Sequence, residues 1–208
     1  MSRKIGLLGG SFDPIHYGHL AIAEDARLAF QLDRILFIPA AQQPFKMGRH
    51  VASAEARLAM VQLACASNPY FEVSDVELQR SGASYTVTTL ETLQAASNDL
   101  LFLLVGADSA ADLPRWHAAR RIVALARLIV IERPGRVLDA EHLYTNLPEL
   151  KGRLDVLRGP QLSLSSTVLR QRAATNTSLR YLTPDPVVEY MLEHRLYSSG
   201  AALEAQRL

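Results

Sequence analysis

His16 and His19 stand three residues apart in the string Gly9-Gly10-Ser11-Phe12-Asp13-Pro14-Ile15-His16-Tyr17-Gly18-His19, where an apolar-periodic segment begins. Imidazoles at i and i+3 in the opening turn of a helix point toward one ligand. The small residues ahead of them let a ligand approach the backbone, and a helix start adds unpaired N–H groups at the positive end of a dipole. That combination suits the handling of a phosphate. Each part also has an ordinary use: a glycine pair in a tight turn, Pro14 at a helix start, histidines in packing. The complete string, placed directly after a first strand, is what points to an anion site.

The elements that must position this string follow from apolar patterning. Ile5-Gly6-Leu7-Leu8 predicts a buried parallel strand, and Leu20 to Leu32 has helical periodicity. Arg34 to Pro39 predicts a second strand, ended by its proline, so that a right-handed βαβ unit forms. The loop Ala40 to Lys46 then leaves the C-terminal edge of the sheet, where ligand crevices form, and Lys46 is a candidate phosphate clamp. Ser53 predicts the cap of a helix over 54–67, and Phe71 to Ser74 a short strand. Asp75 to Arg80 is expected as an extended or edge segment, followed by a helix to about Ala96 that Ser84 or Thr86 would cap.

Leu100 to Val105 is the clearest buried strand and runs into Gly106-Ala107-Asp108. Glycine at a strand end permits close ligand approach, and Asp108 either accepts hydrogen bonds from ribose hydroxyls or caps the next helix. Arg127 to Gly135 predicts another strand followed by a turn, Arg136 to Gly152 is irregular, and Asp155 to Leu157 would complete the sheet. Strands alternating with helices define an α/β protein built on an open, mostly parallel sheet with helices on both faces.

Composition bounds what the site can serve. The chain has 208 residues, 49% of them hydrophobic, and a formal net charge of +1, which removes any bulk electrostatic case for nucleic acid or an anionic membrane. Cys65 is its single cysteine, so a disulfide framework and a cysteine-based zinc site are excluded; a buried structural thiol is expected. No signal-peptide core and no run of transmembrane length occurs, and the expected location is the cytoplasm. Ala- and Leu-rich helices leave a homo-oligomer open.

The opening string resembles the G-G-x-F-D-P-x-H-x-G-H signature of the nucleotidyltransferase superfamily, in the branch of the bacterial nicotinate-nucleotide adenylyltransferases. It lacks the glycine spacing of the dinucleotide fingerprint. Leu164-Ser165-Ser166-Thr167-Val168-Leu169-Arg170 resembles the superfamily's I-S-S-T-x-x-R motif, and Tyr85-Thr86, Gly106-x-Asp108 and Trp116 resemble the segments beside the pyridine nucleotide. Phe45 stands where the family usually has histidine, and Thr88 where it commonly has aspartate. The resemblance covers Lys4 through Tyr197. It implies a Rossmann-like, nucleotidyltransferase-type domain over residues 1–197, with 198–208 as a flexible tail.

The implied reaction transfers AMP from ATP to nicotinate mononucleotide, giving nicotinate adenine dinucleotide and pyrophosphate in NAD biosynthesis, with Mg²⁺ accompanying ATP. By the same resemblance His16, His19, Lys46 and Arg170 are the catalytic groups. Gly9, Gly10, Ser11, Phe12, Gly106, Asp108, Ser165, Ser166 and Thr167 surround the nucleotide; Tyr85, Thr86 and Trp116 meet the mononucleotide, and no residue is assigned to a metal. Nicotinamide mononucleotide and phosphopantetheine remain as alternative acceptors. An ATP-binding regulatory protein without turnover is the alternative from another class.

Overall fold

In the computed structural model the described residues are 2–41, 52–80, 84–132, 137–160 and 162–198. Six strands are seen among them: β1 (Lys4–Gly10), β2 (Arg34–Pro39), β3 (Phe71–Val73), β4 (Leu100–Gly106), β5 (Ala126–Glu132) and β6 (Leu154–Arg158). They pair in the order β3-β2-β1-β4-β5-β6, every pair parallel. The order reverses between β1 and β4, so the chain leaves these neighbouring strands toward opposite sides and a crevice opens at their C-terminal ends.

The helices are α1 (Tyr17–Ala29), α2 (Ala54–Cys65), α3 (Thr86–Ala96), α4 (Ala107–Ala111), α5 (Ala119–Leu125), α6 (Ala140–Asn146), α7 (Ser166–Ala174) and α8 (Asp185–Glu193). They divide between the two faces of the sheet. One apolar core joins Leu8 and Phe37 to Ile22, Met60, Leu169, Val187 and Met191, from α1, α2, α7 and α8. The other joins Ile5, Leu7 and Leu103 to Leu90, Ala110, Ile122 and Leu143, from α3 to α6. Successive residues of β1 thus serve opposite cores, and the run reads as continuously apolar because both faces are covered. Gly6 permits this closeness: a Cβ there would lie 2.5 Å from Ile35 Cδ1 and 2.8 Å from Leu32 Cδ1.

Several expectations are corrected. Asp75 to Arg80 is not extended but turns, with Leu78 and Gln79 N–H groups donating to the Asp75 carbonyl. Its charged side chains have a local use: the Thr89 hydroxyl donates to Glu77 at 2.8 Å and accepts from Arg80 at 2.6 Å. Neither Ser84 nor Thr86 caps α3, whose N-cap is Tyr85 without a side-chain bond. The stretch 136–152, expected as irregular, contains α6, started by Asp139 accepting from the His142 N–H. Ser53 does cap α2, and Cys65 is buried as expected.

Candidate functional site

A cleft of about 820 Å³ opens over the C-terminal ends of β1 and β4. Gly9 and Gly10 are the last residues of β1 rather than a loop after it, and Gly106 ends β4. Among the described residues a Cβ added to Gly9 or Gly106 would meet nothing within 4 Å. These two glycines flank the reversal of strand order and leave its floor open. Gly10 serves packing instead, since its Cβ would press on the Phe12 ring at 3.0–3.3 Å. Phe12 has φ 46, an uncommon backbone conformation for a bulky residue. The turn drives its ring into the core, edge-on to His19 at 5.1 Å. Phe12 thus lines the cleft while its ring packs into the core behind it.

His16 is the N-cap of α1 and His19 its third residue. Their rings stack with centroids 3.7 Å apart and planes 17° apart. The His16 backbone N–H donates to His19 Nδ1 at 3.2 Å, half of a capping-box arrangement. With Nδ1 accepting, the proton of a neutral His19 sits on Nε2, which makes that atom a donor. Gly18 makes room for the stack, because a Cβ there would lie 3.0 Å from His16 Nδ1. Both histidines line the cleft.

The second motif lies against the first. Ser165 is the N-cap of α7, its hydroxyl accepting from the Val168 N–H at 3.3 Å. The Ser166 hydroxyl donates to the Pro14 carbonyl at 2.8 Å, so its side chain ties the two motifs together. Arg170 donates to the Asp13 carbonyl at 2.7 Å and to the Thr167 hydroxyl at 3.3 Å. Its guanidinium is thereby oriented at the cleft wall, with part of its donor fork committed.

The cleft also has aromatic lining from the elements after β3 and β4. Tyr85 and Thr86 at the start of α3 line it together with Trp116, which follows a single 3-10 turn at Leu113–Arg115. His117 lines the cleft as well, its ring 4.7 Å from that of Tyr85. Asp108 also lines the cleft; it lies in the first turn of α4, whose N-cap is Gly106, so the capping alternative for Asp108 fails. The sequence-predicted residues that the structure describes thus line one cleft, Ser11 among them. Lys46, with Phe45, lies outside the described residues.

Arg57, Thr183 and Tyr197 were missed. Arg57 on α2 is 1% exposed, and its Nη1 donates to the carbonyls of Ser11 and Ala40, both at 2.8 Å. Burial pushes its guanidinium below its ordinary range, and the Asp13 carboxylate acts in the opposite sense. Thr183 donates to the Ile15 carbonyl at 2.8 Å, and Tyr197 to Asp13 Oδ1 at 2.6 Å. Among the described residues no group of three or more histidine, cysteine or acidic side chains is placed to hold a metal ion.

A parallel sheet of order 3-2-1-4-5-6, with an HxGH turn and a serine-capped helix meeting over its switch point, defines a nucleotidyltransferase. The chain belongs to the cytidylyltransferase-like family, whose model matches residues 7–172. It is 54% identical over 196 residues to a "probable nicotinate-nucleotide adenylyltransferase" of Roseiflexus sp. strain RS-1, covering 94% of this chain and 98% of that protein. A protein of the same name from Mycobacterium bovis is 43% identical over 195 residues, 93% of this chain and 91% of that one. Among solved structures, Plasmodium falciparum nicotinic acid mononucleotide adenylyltransferase complexed with NaAD superposes with a TM-score of 0.77 over 94% of this chain and 97% of that one. At 20% identity that likeness concerns the fold.

Proposed function

We propose that this protein is a nicotinate-nucleotide adenylyltransferase, joining the AMP part of ATP to nicotinate mononucleotide with release of pyrophosphate. One observation carries the reading. The HxGH turn and the serine-capped α7, tied together through Ser166, line the same cleft as Tyr85 and Trp116, so a phosphate-to-phosphate reaction and a flat ring fit one space. The names of the relatives at 54% and 43% identity support it.

The mononucleotide's phosphate is already an anionic nucleophile at neutral pH, so neither a strong base nor an enzyme nucleophile is required. Its oxygen attacks the α-phosphorus of ATP in line with the departing pyrophosphate. Catalysis then consists of alignment and of neutralising negative charge as it accumulates. Gly9 and Gly106 leave the reacting phosphates room at the sheet edge. His19, donating through Nε2, and His16 beside it stabilise the phosphate oxygens in the transition state. Arg170 supplies fixed positive charge, as does Lys46. Ser165, Ser166 and Thr167 present the opening amides of α7 to the triphosphate, and Asp108 accepts from a ribose hydroxyl. Tyr85, Thr86 and Trp116 enclose the pyridine ring, with indole stacking on its face. Mg²⁺ enters as part of the MgATP substrate, held by phosphate oxygens.

The test is pyrophosphate release from MgATP with nicotinate mononucleotide or nicotinamide mononucleotide, each product identified by mass. Strong release with the acid alone is expected. Preference for the amide would overturn the substrate and keep the chemistry. No release with either, from folded protein that binds ATP, would overturn adenylyl transfer to a pyridine nucleotide.

A further inference from the structure

The segment between β1 and α1 leads into the two histidines, His16 at the helix cap and His19 in the first turn, and itself lies outside both sheet and helix ladders. Its backbone carbonyls must find partners elsewhere. Four of them are held by side chains from distant parts of the chain. Arg57 of α2 holds Ser11, Arg170 of α7 holds Asp13, Ser166 holds Pro14, and Thr183 holds Ile15, at 2.7–2.8 Å. At the end of the segment the Tyr17 N–H donates to the Leu182 carbonyl at 3.0 Å. Asp13 lies at the centre of this arrangement: it is 3% exposed, and Oδ1 accepts from the Tyr197 hydroxyl at 2.6 Å and from the Ala52 N–H at 3.2 Å.

Tyr197 thus adds a hold of a different kind. It grips the side chain of a residue whose own carbonyl is already held by Arg170, so Asp13 is fixed at both ends. A phenol buried against a carboxylate keeps its proton: burial, and then the bond to Asp13, push its pKa above the ordinary tyrosine range. The donor is therefore present at neutral pH, where a phosphate acceptor is anionic.

We propose that Tyr197 is a positioning residue for adenylyl transfer, fixing Asp13 and hence the segment that aims His16 and His19 at the reacting phosphates. The inference rests on the function proposed above. Tyr197 touches no reacting atom; it acts through geometry. Loss of its hydroxyl should therefore appear in turnover, which depends on alignment in the transition state, and far less in the affinity for ATP.

The test compares steady-state pyrophosphate release by the full chain, Tyr197→Phe and Val187→Ala, using MgATP and nicotinate mononucleotide. Tyr197→Phe is expected to lower kcat by about 10- to 100-fold, in keeping with a displacement of an ångström or less at the histidines, while the KM for ATP stays within about twofold. Val187, buried in α8 with a side chain that makes no hydrogen bond to the segment, is the stability control. Its truncation should lower the melting temperature and leave kcat unchanged where the protein is folded.

A kcat for Tyr197→Phe equal to wild type overturns the inference, as does an equal loss of kcat in folded Val187→Ala. If Tyr197→Phe does not fold, Asp13→Asn decides. It keeps an acceptor oxygen while weakening the bond, so it should show the same split between kcat and KM in smaller measure; unchanged kcat there also overturns the inference. An inactive wild-type enzyme overturns the functional reading, and the role of Tyr197 with it. Active wild type with unaffected variants overturns the role of Tyr197 alone.

Discussion

His19 is the residue on which turnover should depend most. Its Nδ1 accepts from the His16 amide, which orients the ring with Nε2 as the donor toward charge that develops on a phosphate oxygen. His19→Ala is expected to lower kcat by about 10²–10³, equivalent to about 3–4 kcal/mol, with ATP binding measured separately to exclude a packing defect. Gly106 supports the opposite kind of prediction. Its φ of −69 and ψ of 153 suit any residue, and a Cβ there would project into open space. Gly106→Ala should stabilise the free protein by about 0.4–1 kcal/mol through the unfolded chain, while raising the KM for ATP. Calorimetry and kinetics on one sample check both signs. At this scale the sequence announced what has an unusual chemical type: paired histidines, glycines at strand ends, a tryptophan near an aspartate. Arg57, Thr183 and Tyr197 escaped because each acts on a backbone carbonyl or on a carboxylate far away in the chain. In Ala54–Cys65 an arginine passes for solvated surface until the fold brings Ser11 and Ala40 against it.

At the scale of elements, the strands were the most legible feature, since burial on both faces leaves long apolar runs such as Leu100 to Val105. The segments that misled were those whose polar residues spend their hydrogen bonds locally. Asp75 to Arg80 alternates charges like an exposed strand but closes on itself through the Asp75 carbonyl. The seven residues of α6 offer too short a period to register, and only Asp139 as a cap signalled them. α2 yields a prediction of its own. Cys65, at its last position, is packed in the core, and burial pushes its thiol up to about 12. In the unfolded chain the thiol ionises near its ordinary value of about 9. Between those values the folded state holds the extra proton, so stability is intact below about pH 9 and falls as pH rises toward 12. Urea titrations across that window should show a shallower decline for Cys65→Ala, and native protein at neutral pH should resist thiol-directed reagents.

For the whole molecule, the alternation of strands and helices was enough to indicate the layered architecture, and the positions of the two phosphate motifs indicated that the first and last thirds of the chain meet. The partners that lock them together, Ser166 with Pro14 and Arg170 with Asp13, had no sequence signature, because the acceptors are main-chain atoms. A ligand that bridges β1, β4 and α7 should tighten the entire fold. Saturating nicotinate adenine dinucleotide, at about 100 times its dissociation constant, is expected to add about 2.7 kcal/mol to the stability, seen as a concentration-dependent rise in melting temperature. A ligand confined to one end of the cleft, such as nicotinate mononucleotide alone, obeys the same relation with its own constant.

The holding of the histidine segment by residues 166–197 bears on how the protein is made. A ribosome delivers Gly9 to His19 well before Ser166, Arg170, Thr183 and Tyr197. A nascent chain carrying β1 to β4 possesses the histidines and glycines but none of those four anchors. Catalytic competence should therefore arrive abruptly, when residues 166–197 clear the exit tunnel, and nascent chains lacking them should not transfer adenylyl groups.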